Sequence, residues 1–408
     1  MSTRRLKIFN GRIISPYRII PNGTVVVSGE TITAVVDGDL DVPGADEIDA
    51  GGNYISPGFI DIHVHGGGGH DFMDCDENAF LKIAETHARH GTTAMVPTTL
   101  SCEKDELITT LEIYKQADKN NFSGAQFIGM HIEGPYFAMN QRGAQDPRYI
   151  RDPDPDEYKE IIKRFDVIKR WSAAPELNGA LEFARYLRSN NILPALAHTD
   201  ATYEEVVKGF ECGYILATHL YSAMSTITRR NAYRYAGVIE AVFLIDEMDV
   251  EIIADGRHVP APLLQLALKI KGPSRIALIT DAMRGAGMPE GEFTLGNKNS
   301  GLKAIVEDGV AKLPDRSSFA GSVATTDRLV RNMINLANVS VTDAVKMMSY
   351  TPARIMNVAD KKGSLAVGND ADIVIFDEDI NILSTIIMGK DVYGPANKLM
   401  HNPKFSPI

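Results

Sequence analysis

Cysteine is scarce in this 408-residue sequence. The three present, Cys75, Cys102 and Cys212, are odd in number and far apart, which excludes a disulfide framework or a CxxC metal knuckle and fits a reducing, cytoplasmic setting. Long apolar runs are missing too: no stretch approaches the roughly 18 residues a membrane-spanning helix needs. The start, MSTRRLKIFNGRIISP, is basic but lacks the apolar centre of a signal peptide. Positive charge is in deficit, with 42 Lys and Arg against 53 Asp and Glu and a formal net charge of -11. Such a surface repels phosphate backbones and anionic lipid, so no nucleic-acid or membrane partner is expected, and an anionic ligand needs a local cationic site. There is also no GK[ST] phosphate loop and no G-x-S-x-G nucleophile elbow.

What is present is enough apolar sequence, 44% hydrophobic, for one large domain and a small one. Residues 5 to 56 run in short β-type segments such as LKIFNGRII and GTVVVSGETITAVV, broken by Gly, Asn and Pro, with no good helix. From GFIDIHVH onward short apolar strands alternate with amphipathic helices: AFLKIAETHARHG then TAMVPTT, EYKEIIKRF then VIKRWSAAPE, ALEFARYLRSNN then ILPALAHTD. Repeated βα units predict an α/β protein built on a TIM-type (β/α)8 barrel. After TDAVKMMSYTPARIMNV the β texture returns in KGSLAVGNDADIVIFDED. The expected organisation is therefore a barrel over 57–359 and one small discontinuous β-sandwich domain made from 1–56 and 360–408.

The alternation of strand faces gives the histidines meaning. His63 and His65 close FIDIHVH two residues apart, so both side chains point the same way and can grip one ion. His198 ends ILPALAH and His219 ends YILATH; Glu133 and Asp281 sit at the ends of GMHIE and ALITD. In a barrel these ends converge on the catalytic face. Singly, each is as compatible with an ordinary hydrogen-bonding residue. Together, buried without a cation, the carboxylates would carry a desolvation cost of several kcal/mol each, so the set points to a divalent metal. Gly66 to Gly69 are read as a sharp turn beside it. His70, His87, His90, His131 and His401 have no such placement and are read as structural or surface histidines.

The motifs PGFIDIHVHG, HIEGPY, LAHTDA, THLYSAM, IIADGRHV, LITDA and FAGS, in this order over nearly the whole chain, resemble the amidohydrolase superfamily and, within it, the N-acetylglucosamine-6-phosphate deacetylases. The resemblance implies removal of the acetyl group of a small phosphosugar, in a homodimer, with one or two divalent ions per chain, zinc before iron. It implies that Glu133, His198 and His219 hold the primary metal, that His63 and His65 form a second metal position, and that Asp281 is the catalytic acid and base. The chemistry agrees, since an amide is a poor electrophile and its hydrolysis needs an activated water and a polarised carbonyl.

The resemblance further implies substrate contacts at Ala144, Gln145, Ser222, Ala223, Arg230, Asp255, His258, Phe319, Ala320 and Gly321, with Arg230 on the phosphate. On residue type alone, Arg229 and Arg230 also read as a solvated basic pair. Two positions depart from the family pattern: Gln145 stands where a His usually helps polarise the acetyl carbonyl, and Ser222 replaces an Asn near the phosphate. Two further readings stay open. One is an amidohydrolase for another N-acetyl hexosamine, such as the galactosamine 6-phosphate epimer, or for a cyclic amide; the other is a barrel that has become a binding scaffold.

Overall fold

The computed structural model describes residues 4–394, so His401 and the end of the 360–408 segment lie outside the described residues. Eight short parallel strands succeed one another around a barrel: Phe59–Val64, Thr92–Pro97, Met130–Glu133, Ile168–Ala173, Leu193–Leu196, Leu216–Ala217, Asp249–Ile252 and Ile276–Leu278. A bridge from Thr98 to His131 links the first pair to the third strand. The ring shuts where the Asp281 amide donates to His63 O and the His65 amide to Ala282 O, each at 2.9 Å. Phe59–Val64 is buried at every position, as expected of a strand with helices on one side and the barrel interior on the other.

The outer helices form where the amphipathic period places them. Glu77–Ala88 is capped by the Asp76 carboxylate and buries Phe80, Ile83, Ala84 and His87 on one stripe. Tyr203–Cys212 starts with a capping box in which the Thr202 hydroxyl accepts from Glu205 N while Glu205 accepts from Thr202 N. The core beneath is aromatic on one side, with Tyr136 stacked on Trp171 at 5.9 Å and Phe183 edge-on to both.

The two chain ends build one sheet, in the order Lys390–Tyr393, Ile382–Ile387, Ile373–Phe376, Tyr54–Pro57, Arg5–Ile14, Ile19–Ser28 and Thr31–Asp37. Ile373–Phe376 pairs antiparallel with Tyr54–Pro57, the strand that leads into the barrel. Leu6, Ile8, Val25, Ile55, Ile373 and Ile386 share its separate core. Two additions are not announced by the βα texture. An antiparallel sheet, Gly291–Leu295, Leu302–Glu307 and Val310–Lys312, is inserted after the eighth strand. A wholly exposed hairpin pairs Thr228–Arg230 with Tyr233–Tyr235. No helix among the described residues is long and apolar enough to cross a membrane.

Phe376, on a strand of the two-ended sheet, packs into the barrel core: it is fully buried, and its ring lies 5.4 Å from Tyr54 and 6.1 Å from Phe59. Phe376→Ala should destabilise the chain by about 3–5 kcal/mol, read as a lowered urea midpoint. A midpoint equal to that of the unaltered chain would mean the β domain and barrel are not coupled through this ring.

Candidate metal centre and active site

The side chains singled out at strand ends converge. His63 lies within Phe59–Val64 and His65 just beyond it, while Glu133 is the last residue of Met130–Glu133. His198, His219 and Asp281 follow their strands and adopt left-handed backbones, with φ of 46°, 34° and 48°. Each such residue costs about 1–3 kcal/mol and bends the chain so that its side chain turns into the barrel mouth. At Asp281 the bend is held by the Ser322 amide, which donates to Asp281 O at 2.7 Å. Gly321 packs against this turn; a Cβ there would come within 2.9 Å of Asp281 O and 3.9 Å of Asp281 Oδ1. The glycine run after His65 makes a tight hairpin in which Gly66 and Gly67 pair with Asp71 and His70, turning through Gly68 and Gly69 at φ 62° and 88°.

Two clusters share Glu133. One is Glu133, His198 and His219, the other His63, His65 and Glu133; within each, the possible ligand atoms lie within 4.8 Å of one another. Glu133 Oε1 is 3.1 Å from His219 Nε2, 3.5 Å from His198 Nε2 and 3.4 Å from His63 Nε2. Glu133 Oε2 is 3.4 Å from His65 Nε2. The outer nitrogens of two of these rings are engaged elsewhere: His198 Nδ1 with Gln141 O at 2.8 Å and His63 Nδ1 with Glu251 Oε2 at 3.3 Å. Donation from Nδ1 leaves the lone pair on Nε2, the form that binds a metal. Four imidazoles and a carboxylate aimed at one another, buried, are a nitrogen and oxygen donor set that would suit divalent ions, with Glu133 common to both clusters.

The electrostatics follow from the same crowding. Burial alone would raise Glu133, but the imidazoles around it in their protonated forms, through the charge of His63 and the hydrogen bonds of His198 and His219, outweigh it and hold the carboxyl well below its ordinary range. Burial is opposed in the same way at Asp281, where the His65 hydrogen bond and the neighbouring imidazoles keep the carboxyl low. Burial would lower His65; its hydrogen bond to Asp281 and the charges of Glu133 and Asp281 reverse this and raise it to about 9.

Above the clusters opens a cavity of about 580 Å³, within the usual size for a small-ligand site. His65, Glu133, His198, His219 and Asp281 line its floor. Of the expected substrate contacts, Ala144, Gln145, Ser222, Ala223, His258, Phe319 and Gly321 line its walls. The Ser222 amide is already engaged, donating to His219 O at 2.9 Å. Three expected contacts are placed elsewhere. Ala320 is buried with its amide on Ala311 O at 3.0 Å. Asp255 stands behind His258, accepting from His258 Nδ1 at 2.7 Å and from the amides of Arg257 and His258, so it orients the imidazole and does not face the cavity. Arg230 is on the exposed hairpin, 5.6 Å from the Tyr235 ring, and does not line this cavity because the hairpin extends into solvent.

The cavity has cations that sequence reasoning passed over, Lys312 and Arg316, both from the inserted sheet and its loop and both paired with Glu307 at 3.2 Å. Their one signal is the sequence KLPDRSS in an otherwise acidic chain. Gln145 also differs from expectation. Its Oε1 accepts from Ser101 N at 2.9 Å, which fixes the amide so that Nε2 donates to Glu133 Oε2 at 2.8 Å. It holds the shared ligand as well as lining the cavity. Of the histidines left aside, His131 is buried with its ring 4.8 Å from His63 but is tied to Thr98 and Ser172, and His87 bonds Gly66 O at 2.9 Å. Burial lowers His87 to about 4, so it is a neutral prop for the glycine turn.

Residues 54–392 match the amidohydrolase family. The N-acetylglucosamine-6-phosphate deacetylase of Vibrio furnissii is 35% identical over 353 residues, 86% of each chain. An N-acetylgalactosamine-6-phosphate deacetylase of Escherichia coli is 33% identical, over 82% of this chain and 87% of its own. Among solved structures, a mutant N-acetyl-D-glucosamine-6-phosphate deacetylase from Mycobacterium smegmatis in complex with N-acetyl-D-glucosamine-6-phosphate superposes with a TM-score of 0.87 at 27% identity, covering 96% of this chain and 100% of that one.

Because Glu133 is common to both clusters, Glu133→Ala should remove divalent-metal binding at both, while His65→Ala should leave the cluster of Glu133, His198 and His219 able to hold an ion. Elemental analysis of the dialysed variants separates these outcomes. Retention of two ions by Glu133→Ala would rule out the shared carboxylate.

Proposed function

The chain belongs to the amidohydrolase family, and from that footing we propose that it hydrolyses N-acetylglucosamine 6-phosphate to glucosamine 6-phosphate and acetate. The observation that carries this is the cavity whose floor joins two metal-ligand clusters to Asp281, in a chain similar over most of its length to deacetylases of this sugar phosphate. In this reading the ions are zinc, which suits tetrahedral imidazole and carboxylate sets, with iron the alternative. The free thiols of Cys75, Cys102 and Cys212 fit a cytoplasmic enzyme.

A divalent ion bound there supplies two things, a lowered pKa for water and a polarised amide carbonyl. The chain's residues do the rest. Asp281, 3.1 Å from His65 Nε2 through Oδ1, takes the proton of the attacking water and passes it to the departing nitrogen as the C–N bond breaks and the C–O bond forms. Gln145, fixed by Ser101 and Glu133, keeps a second N–H for the acetyl oxygen; as a neutral amide it donates without changing charge. His258, held by Asp255 and packed 4.5 Å from Phe319, gives the sugar a polar contact beside an apolar wall.

For the phosphate, the reading assigns Arg230 to the site of a second copy of the chain. The hairpin that carries it exposes Tyr233 and Tyr235, with Ile227 and Leu244 nearby in sequence and also exposed, a surface suited to a homodimer in which each hairpin reaches the other's cavity. N-acetylgalactosamine 6-phosphate as substrate is the specific second reading, favoured by the Escherichia coli relative.

Asp281→Asn should keep the fold and the bound metal while lowering kcat by at least about 100-fold, the scale of a lost general base; near-normal kcat would remove Asp281 from the mechanism. Acetate release from phosphorylated and unphosphorylated N-acetylglucosamine and N-acetylgalactosamine should strongly favour N-acetylglucosamine 6-phosphate. Arg230→Ala should raise KM for that sugar by about 2 kcal/mol or more, as for a charge-assisted contact, and leave the unphosphorylated sugar nearly unchanged. Equal loss on both sugars would make Arg230 structural and pass the phosphate to Lys312 and Arg316.

A further inference from the structure

One buried ion pair has no part in that chemistry, yet it touches the metal ligands from below. Arg170, within Ile168–Ala173, and Glu251, within Asp249–Ile252, are both fully buried in the barrel. Arg170 binds both oxygens of Glu251, Nη2 to Oε2 at 2.9 Å and Nη1 to Oε1. It also donates to Thr218 Oγ1 at 2.7 Å and to Ile62 O at 3.2 Å. Glu251 Oε2 in addition faces His63 Nδ1 at 3.3 Å and the His219 amide at 3.4 Å.

Stability does not explain such a pair, because well-packed apolar residues of similar volume are usually as stabilising as a buried salt bridge. What the pair does that apolar residues cannot is present His63 with an atom that only accepts. Glu251 is kept ionised by the guanidinium, and an ionised carboxylate has no proton to donate. With Glu251 accepting at Nδ1, the neutral form of His63 carries its proton there and turns the Nε2 lone pair toward the cluster, where His65 Nε2 lies at 3.2 Å and Glu133 Oε1 at 3.4 Å. His65, the other imidazole of that cluster, has a buried Nδ1 with no partner among the described residues, so no carboxylate holds its Nδ1 in this way. Arg170 has a second effect: it neutralises Glu251, which would otherwise add a third carboxylate charge next to Glu133 and Asp281.

We propose that Glu251, clamped by Arg170, is a positioning residue that locks His63 in the Nδ1–H tautomer and thereby sets the affinity of the His63, His65 and Glu133 cluster for its ion. The inference rests on reading that cluster as a divalent-metal site. Outer-shell carboxylates on metal-ligating histidines are commonly worth 10- to 100-fold in metal affinity, and that is the loss expected here, confined to one of two ions.

Two measurements on the full chain test it. In metal-stripped protein labelled with 15N-histidine, long-range 1H–15N correlations should report the Nδ1–H tautomer for His63, identified by the signals lost in His63→Gln, and that pattern should change in Glu251→Gln. Zinc titration should show two ions in the unaltered chain, and in Glu251→Gln the weaker one should lose about 10- to 100-fold in affinity with the tighter one unchanged. The double variant Arg170→Met with Glu251→Leu removes the ion pair as a unit, avoids leaving a lone buried charge, and should show the same selective loss. Unchanged tautomer and isotherms in both variants, or equal weakening of both ions, would overturn the proposal. An unaltered chain that saturates at one ion would instead overturn the two-ion reading, and the tautomer measurement would still decide whether Glu251 orients His63.

Discussion

Closing the barrel mouth takes the carboxylates of Glu133 and Asp281 out of water, and much of the surrounding structure compensates for that step. Each such group costs several kcal/mol unless it is paired and hydrogen-bonded. The imidazoles of His63, His65, His198 and His219 come from three different strands and reach Glu133 within 3.1 to 3.5 Å. Gln145 adds a neutral donor at 2.8 Å. Below them Arg170 cancels Glu251, so the negative charge left over lies where a cation can bind. Left-handed backbones at His198, His219 and Asp281 are part of the same arrangement, since the strain they carry is held by the closed barrel and is what turns the side chains inward.

Most of this was readable from the sequence because barrel strands are simple objects. A strand buried on both faces reads as an apolar run, so a His or Asp at its end stands out, and the βα order tells which ends meet. His63, His65, Glu133, His198, His219 and Asp281 were legible on that ground, as were the barrel and the β texture of both chain termini. Arg170 and Glu251 are visible by the same logic, as charged residues inside the apolar runs VIKRWSA and DVEIIA, but they lie within their strands and not at the ends that form the mouth.

The remainder depends on geometry that a linear pattern does not carry. Lys312 and Arg316 reach the cavity only because the inserted sheet folds back over the mouth, and nothing in the spacing of 291–316 fixes its direction. The family resemblance implies Asp255 as a substrate contact, but a carboxylate three residues before a histidine is well placed to hold that histidine and turn away from the ligand. Gln145 shows the same limit: the residue type indicates a donor, and only the Ser101 contact settles which end of the amide faces Glu133. Arg230 belongs to a hairpin whose surroundings a single chain does not contain.

The sheet built from both chain ends sets a timetable for synthesis. Tyr54–Pro57 is made early, but its neighbour Ile373–Phe376 follows on the order of 300 residues later. At about 5–20 residues per second, the nascent chain holds an unpaired, apolar strand edge for roughly 15 to 60 s. During that interval Leu365, Ala371, Ile373, Ile375 and Ile386, the C-terminal share of the core around Ile8, Val25 and Ile55, have not yet been made. The N-terminal strands therefore keep an apolar edge exposed while the barrel is being made, and an mRNA change that slows translation across the barrel lengthens that exposure without altering a single residue.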